Sequence, residues 1–197
     1  MTATTSARTT ANANANAYEL LLIGGGAGVG KTTVGWEVSA LLREAGTAHC
    51  LIEGDFMDQI HPAPAADPHR SAITERNIAS VWSNYAALGQ RRLIYTNTVS
   101  VLEERMVSRA MGCGAAVRAT RVLLTAEEAT VRQRLVQREI GSQLSAHIER
   151  SLYRARQLAE TAPVGTVRIA TDGRSVRDIA AQVLQAAAWQ GPETRTP

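Results

Sequence analysis

One stretch constrains this chain more than any other: Gly25-Gly26-Ala27-Gly28-Val29-Gly30-Lys31-Thr32. It fits the spacing G-x-x-x-x-G-K-[ST] in full. An apolar run, Tyr18 to Ile23, precedes it, and Val34, Val38, Leu41, Leu42 and Ala45 come after it at helical spacing. Strand, glycine loop and helix form the context in which this spacing acquires a physical meaning. The glycines let the backbone curl so that its N–H groups point inward around a phosphate. The start of the helix adds the positive end of its dipole. Lys31 then reaches β- and γ-phosphates, and the Thr32 hydroxyl is placed to ligate Mg²⁺. Gly25 to Thr32, with Thr33 beyond them, are the predicted nucleotide contacts. A glycine-rich dinucleotide fingerprint is the competing pattern, but the ending Gly30-Lys31-Thr32 belongs to a phosphate loop. Lys31 is also the only lysine among the 21 Lys+Arg of the chain.

Strand-like and helix-like segments alternate after the loop. Gly46 stands where a helix C-cap would. Ala48 to Ile52 reads as a second strand, closed by Glu53, Gly54 and Asp55. A loop rich in Pro and Asp, Met57 to Arg70, leads to a helix over about Ser71 to Leu88. Leu93 to Val99 is a third strand. Ser100 with Glu103 has capping-box spacing and predicts a helix to about Met111. A fourth strand covers about Ala116 to Leu124, and Thr125 with Glu128 predicts a helix to about Glu139. A further helix runs over about Ser142 to Glu160, and Val164 to Ala170 is the fifth strand. Ser175 caps the last helix. The alternation predicts a three-layer α/β/α sandwich around a five-stranded parallel sheet. Residues 18–190 form the domain, and 132–150 a helical lid. The low-complexity segment 1–17 and residues 191–197 read as tails.

With 197 residues the chain accommodates one domain. Its net charge is +3 and its arginines are scattered, so no nucleic-acid footprint is read. No apolar run spans a membrane, and no signal-peptide core is present, so a cytoplasmic protein is expected. Cys50 and Cys113 lie in or near apolar runs and read as buried free thiols. A guanine-reading Asn-Lys-x-Asp would need a lysine that the chain does not have to spare. Large motor ATPases need more chain. A small kinase using ATP and Mg²⁺ remains.

Asp55 ends the second strand at the edge where parallel sheets face their ligands. There a carboxylate can accept a substrate hydroxyl proton. The alternative is a helix cap or turn aspartate. Glu53, two residues earlier, shares its face if the strand continues. Arg134 and Arg138 are four apart on one helix face, where two guanidiniums can clamp phosphate oxygens. The alternative is a solvated face paired with Glu127 and Glu128. On the acceptor side, Asp58, His61, Arg76, Asn77 and Asn84 are the available polar groups, with Arg76 suited to an anionic acceptor. Trp82 and Tyr85 fall at core spacing.

LIEGD after a phosphate loop resembles the branch of P-loop kinases that holds gluconate kinase, adenylylsulfate kinase and chloramphenicol phosphotransferase. The match is closer to the tunicamycin-resistance protein family. It covers Leu20 to about Leu184 and includes VWSNYAAL, LIYTNTV, AEEATVRQRLVQR, IER and TDGRSVRDIAA. The resemblance implies a lid role for Arg134 and Arg138, and a supporting, substrate-side role for Arg150. It places Thr171 to Ser175, including Asp172, Gly173 and Arg174, beside the adenine. It implies an ATP-binding protein acting on nucleoside antibiotics, by modifying or sequestering them. A nucleotide kinase of primary metabolism is a further alternative, and monomer and homodimer stay open. One departure stands out: the third strand ends Tyr95-Thr96-Asn97-Thr98, without the Mg²⁺-ordering acid many P-loop enzymes carry there. Metal ordering then falls to Thr32 and waters, with Asp55 as a further candidate.

Overall fold

The computed structural model describes residues 17–112, 116–138 and 144–189. Five parallel strands form one sheet: β1 (Tyr18–Gly24), β2 (Cys50–Glu53), β3 (Arg92–Thr96), β4 (Val117–Thr125) and β5 (Val167–Ala170). Their spatial order is β2-β3-β1-β4-β5. The helices among the described residues are α1 (Lys31–Glu44), α2 (Ser71–Ala87), α3 (Glu104–Ala110), α4 (Glu128–Arg138), α5 (Leu144–Thr161) and α6 (Val176–Ala187).

β1 shows why the sheet needs cover on both faces. Leu20 to Ile23 are all at most 1% exposed. Successive side chains point to opposite faces. Leu21 and Ile23 pack with Val34 and Val38 of α1 and Val183 of α6. Leu20 and Leu22 pack with Ile78 and Trp82 of α2 and Val107 of α3. Each such burial contributes roughly 1.5–3 kcal/mol. Trp82 and Tyr85 belong to this second cluster as expected; the Trp82 indole donates to the Met111 carbonyl at 2.7 Å.

The register aligns the strand ends. Glu53 and Ile23 both pair with Thr96, Gly24 pairs with Leu123, and Thr125 with Ala170. The loops that leave this edge therefore meet each other.

Local packing moves several predicted boundaries. β3 stops at Thr96, three residues early, because the chain turns there and the Thr98 carbonyl accepts from the Gly25 amide at 3.0 Å. Ser100 and Glu103 do not form a capping box. Ser100 is fully buried in a 3₁₀ turn, Ser100–Leu102, and α3 starts at Glu104. β2 begins at Cys50 rather than Ala48. β5 begins at Val167, since Pro163 to Thr166 form a turn that leaves Val164 fully open to solvent. Ser175 does cap α6, accepting from the Asp178 amide at 3.1 Å. Asp67 caps α2 through the amides of Ala72 and Ile73.

Ala17, assigned to the N-terminal tail, is buried and packs with the domain. Burial pushes the Cys50 thiol up to about 12, as expected of a core thiol. Cys113, the tails 1–16 and 191–197, and lid residues 139–143 lie outside the described residues. At the base of the lid, Val131 and Leu135 of α4 pack with Ile148 and Leu152 of α5, and Arg132 pairs with Glu149 at 2.7 Å.

Candidate active site

The loop between β1 and α1 is built around backbone rather than side chains. Gly30 sits at φ 96° at the start of α1 and offers no side-chain cap. A residue with a Cβ is strained there. The first amides of α1 are therefore left for an anion. The Lys31 ammonium lies inside the loop and donates to the Gly26 carbonyl at 3.0 Å. Lys31, Thr32 and Thr33 line a cleft of about 390 Å³ together with Ala27, Gly28, Gly30, Asp55, Thr98, Arg134 and Leu135. Loop amides, a helix start, an ammonium and a hydroxyl in one cleft are donors suited to phosphate oxygens, so the residues fit the phosphates of a nucleotide.

Asp55 is exposed in the 3₁₀ turn Gly54–Phe56 after β2. The strand ends at Glu53, so Glu53 and Asp55 are not aligned by strand alternation as the sequence suggested. The turn separates them. Asp55 faces the cleft. The Glu53 carboxylate instead stands over α1, accepting from the Thr32 hydroxyl at 3.4 Å and from the Trp36 indole at 2.8 Å. A carboxylate does stand beside the Thr32 hydroxyl, supplied by β2 rather than β3. Thr32 and Glu53 fit a magnesium ion. The described residues hold no cluster of three or more His, Cys, Asp or Glu able to hold one. Such an ion would take its other oxygens from phosphates and water.

A part-buried polar cluster backs the Asp55 turn. Asn97 donates to Glu103 at 3.1 Å and lies 3.4 Å from the Tyr95 hydroxyl, which also hydrogen-bonds Glu103. The Asn97 side-chain oxygen accepts from the Thr98 amide at 2.6 Å. Gly54 lies directly on this cluster: a Cβ there would come within 2.5 Å of the Tyr95 hydroxyl. Only glycine lets the turn approach so closely.

Burial raises the Glu103 carboxyl above its ordinary value of 4.5, and the nearby charges of Asp58 and Asp55 add to the rise against the hydrogen bonds from Asn97 and Tyr95. Burial likewise raises the Tyr95 phenol, with the Glu103 charge second. The folded chain therefore holds the Glu103 proton more tightly than the unfolded chain. That contribution to stability is present below 4.5 and is lost as pH rises through the raised value. Urea melts across this range should show wild type losing stability with rising pH relative to Glu103→Gln. Parallel curves for the two would overturn the assignment.

The predicted arginines are placed unequally. Arg134 bridges two loops: it donates to the Gly28 carbonyl at 3.2 Å and to the Thr171 hydroxyl and carbonyl at 3.0 and 3.1 Å. Arg138 belongs to α4, and its side chain lies outside the described residues. Arg150 is exposed on α5.

The turn 171–175 reaches the cleft indirectly: Thr171 accepts from Arg134, which lines it. Asp172 accepts from the Glu127 amide at 3.0 Å, and a hydrogen bond from Thr130 leads the causes that hold its carboxyl below its ordinary value. It thereby caps α4, a task the sequence assigned to Thr125. Arg174 folds back onto the Ala170 carbonyl and onto Gln182 and the Asp178 carbonyl of α6. Gly173 is exposed between them. Neither Asp172 nor Arg174 lines the cleft.

On the acceptor side, Asp58 is half-buried near Glu103, and Asn77 anchors the Met57 carbonyl at 2.8 Å. His61 and Arg76 are exposed. Asn84 is misplaced by the sequence reading. It lies seven residue steps along the helix from Asn77, about 10 Å of rise. That carries it past Trp82, whose ring meets Tyr18 at the start of β1, the far edge of the sheet. Sequence reasoning read Glu103 as part of a helix cap and Thr98 as strand, and passed over Trp36. The signal for Trp36 is its place four residues after Thr32, on the same helix face.

Comparison with known proteins supports this architecture. No family model matches the chain, and no curated protein matches it. Solved structures do. The Deinococcus radiodurans tunicamycin resistance protein has a TM-score of 0.55 at 19% identity, over 89% of this chain and 99% of that one. A shikimate kinase from Bacteroides thetaiotaomicron gives 0.55 at 13% identity, over 85% and 96%. The Mycobacterium tuberculosis APS kinase, in complex with AMPPNP and APS, gives 0.51 at 16% identity, over 87% and 98%. The fold is that of the P-loop kinase-like proteins.

Proposed function

We propose that this chain is an ATP-dependent phosphotransferase that moves the γ-phosphate to a hydroxyl of a small molecule. One observation carries this: Lys31, Thr32, Arg134 and Asp55 line a single cleft. Loop amides and the Lys31 ammonium hold the phosphates, where fixed donors stabilise charge as it shifts. Thr32 and Glu53 hold the metal side. A magnesium ion held there by Thr32 and Glu53 would supply positive charge to offset that of the phosphates. Asp55 accepts the proton of the attacking hydroxyl. Arg134, poised between the phosphate loop and Thr171, acts from the lid side.

For the acceptor, a nucleoside antibiotic is the finer reading. It is supported by the likeness to a tunicamycin resistance protein over nearly all of that chain. The test is mass spectrometry of candidate acceptors after incubation with the full chain, ATP and Mg²⁺. A gain of one phosphoryl group on a hydroxyl is expected. A nucleotidyl gain, or an unmodified drug held tightly, overturns the kinase reading in favour of nucleotidylation or sequestration. Turnover of ordinary nucleotides alone would make it a nucleotide kinase of primary metabolism.

A further inference from the structure

Thr32 and Trp36 are four residues apart on α1 and share one face of the helix. Both reach the same carboxylate. Glu53 accepts the Trp36 indole N–H on Oε1 at 2.8 Å and the Thr32 hydroxyl on Oε2 at 3.4 Å. The strand that carries Glu53 is an edge strand, β2. A glutamate at such an end has several torsions free and many directions to point. The indole removes that freedom. It is mounted on the helix that also carries Thr32, so fixing Oε1 aims Oε2.

Trp36 is 51% exposed, whereas Trp82 and Trp189 are 2% and 5% exposed. A large apolar ring left half in water adds little to the core. Its directed contact is the bond to Glu53.

We propose that Trp36 is a positioning residue for the metal side of the cleft: by holding one oxygen of Glu53, it keeps the other beside the Thr32 hydroxyl. This rests on the reading of Thr32 and Glu53 as the residues that meet magnesium. Trp36 itself touches neither metal nor nucleotide. Its effect is on how well magnesium supports nucleotide binding, not on nucleotide binding as such.

The experiment is calorimetric titration of the full chain with ADP, in EDTA and at graded magnesium concentrations. Trp36→Phe keeps an aromatic ring and removes the N–H. It should raise the half-saturating magnesium concentration by about tenfold, the scale of losing a partner that orients a metal-side ligand. ADP affinity in EDTA should not change. Glu53→Gln should shift the curve at least as far, and the double variant should match Glu53→Gln alone, because both changes act through one carboxylate. Thermal melts check that each variant folds. A second readout needs no substitution at 36: magnesium should alter acrylamide quenching of the one exposed tryptophan in ADP-bound wild type, and lose that effect in Glu53→Gln.

Trp36→Phe titrating like wild type would overturn the inference. So would equal losses of ADP affinity with and without magnesium, which mark a structural role only. A wild type whose ADP affinity ignores magnesium overturns the metal reading of Thr32, and the Trp36 role with it. That failure is visible in wild type alone.

Discussion

Replacing Lys31 by arginine is expected to lower phosphoryl transfer by at least about a hundredfold, the scale of losing one donor aimed at developing charge. The charge survives this substitution, so the effect isolates shape. The ammonium sits within the loop, 3.0 Å from the Gly26 carbonyl. A planar guanidinium is wider and needs a flat, forked partner. The loop has no room to yield. A Cβ on Gly25 would lie 2.6 Å from the Leu124 carbonyl, and one on Gly26 would lie 2.8 Å from the Ala155 side chain. The strand and α5 therefore brace the loop from behind. Lys31 is half-buried at the first position of α1, where arginine is an equally good helix former, so the melting temperature should hold. Steady-state transfer and a thermal melt on one preparation check both halves. Full transfer by Lys31→Arg would sink the assignment. A collapsed melt would make the loss uninformative about phosphate, and Lys31→Met then serves in its place.

Asp55→Asn should cost about 10²–10⁴ in turnover, the range of general-base catalysis. The side chains are nearly isosteric, and Asp55 is exposed, so neither folding nor packing is at stake. What disappears is the ability to take a proton. The turn itself stays in place, because Gly54 still rests on Tyr95 and Asn97. Nucleotide affinity should be kept, or tighten as one negative charge leaves the phosphate cleft. The acceptor found by mass spectrometry supplies the assay. Turnover equal to wild type would remove Asp55 as the base and leave it a turn residue.

Much of the fold could be read along the chain because its signals are local. Leu20 to Ile23 are apolar on both faces, as a strand covered from both sides must be. The glycines and Lys31 then dictate a phosphate loop at the end of that strand. Ser175 caps its helix with a neighbour three residues away. The misreadings arose where a distant partner decided. Ser100 and Glu103 have the spacing of a cap, yet Glu103 is taken by Asn97 and Tyr95, and Ser100 is buried against the position of Gly24. Thr98 looks like strand, but its carbonyl is needed at Gly25. The cap of α4 comes not from Thr125 but from Asp172, 45 residues after the Glu127 amide it accepts from. The third strand lacks an acid at its end, and the carboxylate beside the Thr32 hydroxyl comes from another strand. That residue, Glu53, is recognisable only once β2 and α1 are seen side by side. Asn84 shows the same limit: periodicity identifies a helix but not which of its ends meets the cleft.

The solitary lysine makes this protein unusually simple to address from outside. Apart from a chain-end amine, Lys31 is the only primary amine in the sequence. Reagents that acylate amines scatter over most proteins; here they have one internal target, and it lies at the bottom of the phosphate loop. Acetylation of this chain at lysine, by reagent or by enzyme, is therefore the same event as neutralising the ammonium of the proposed nucleotide site. Bound nucleotide would shield that amine, so the extent of labelling reads occupancy directly, without a known acceptor and without turnover.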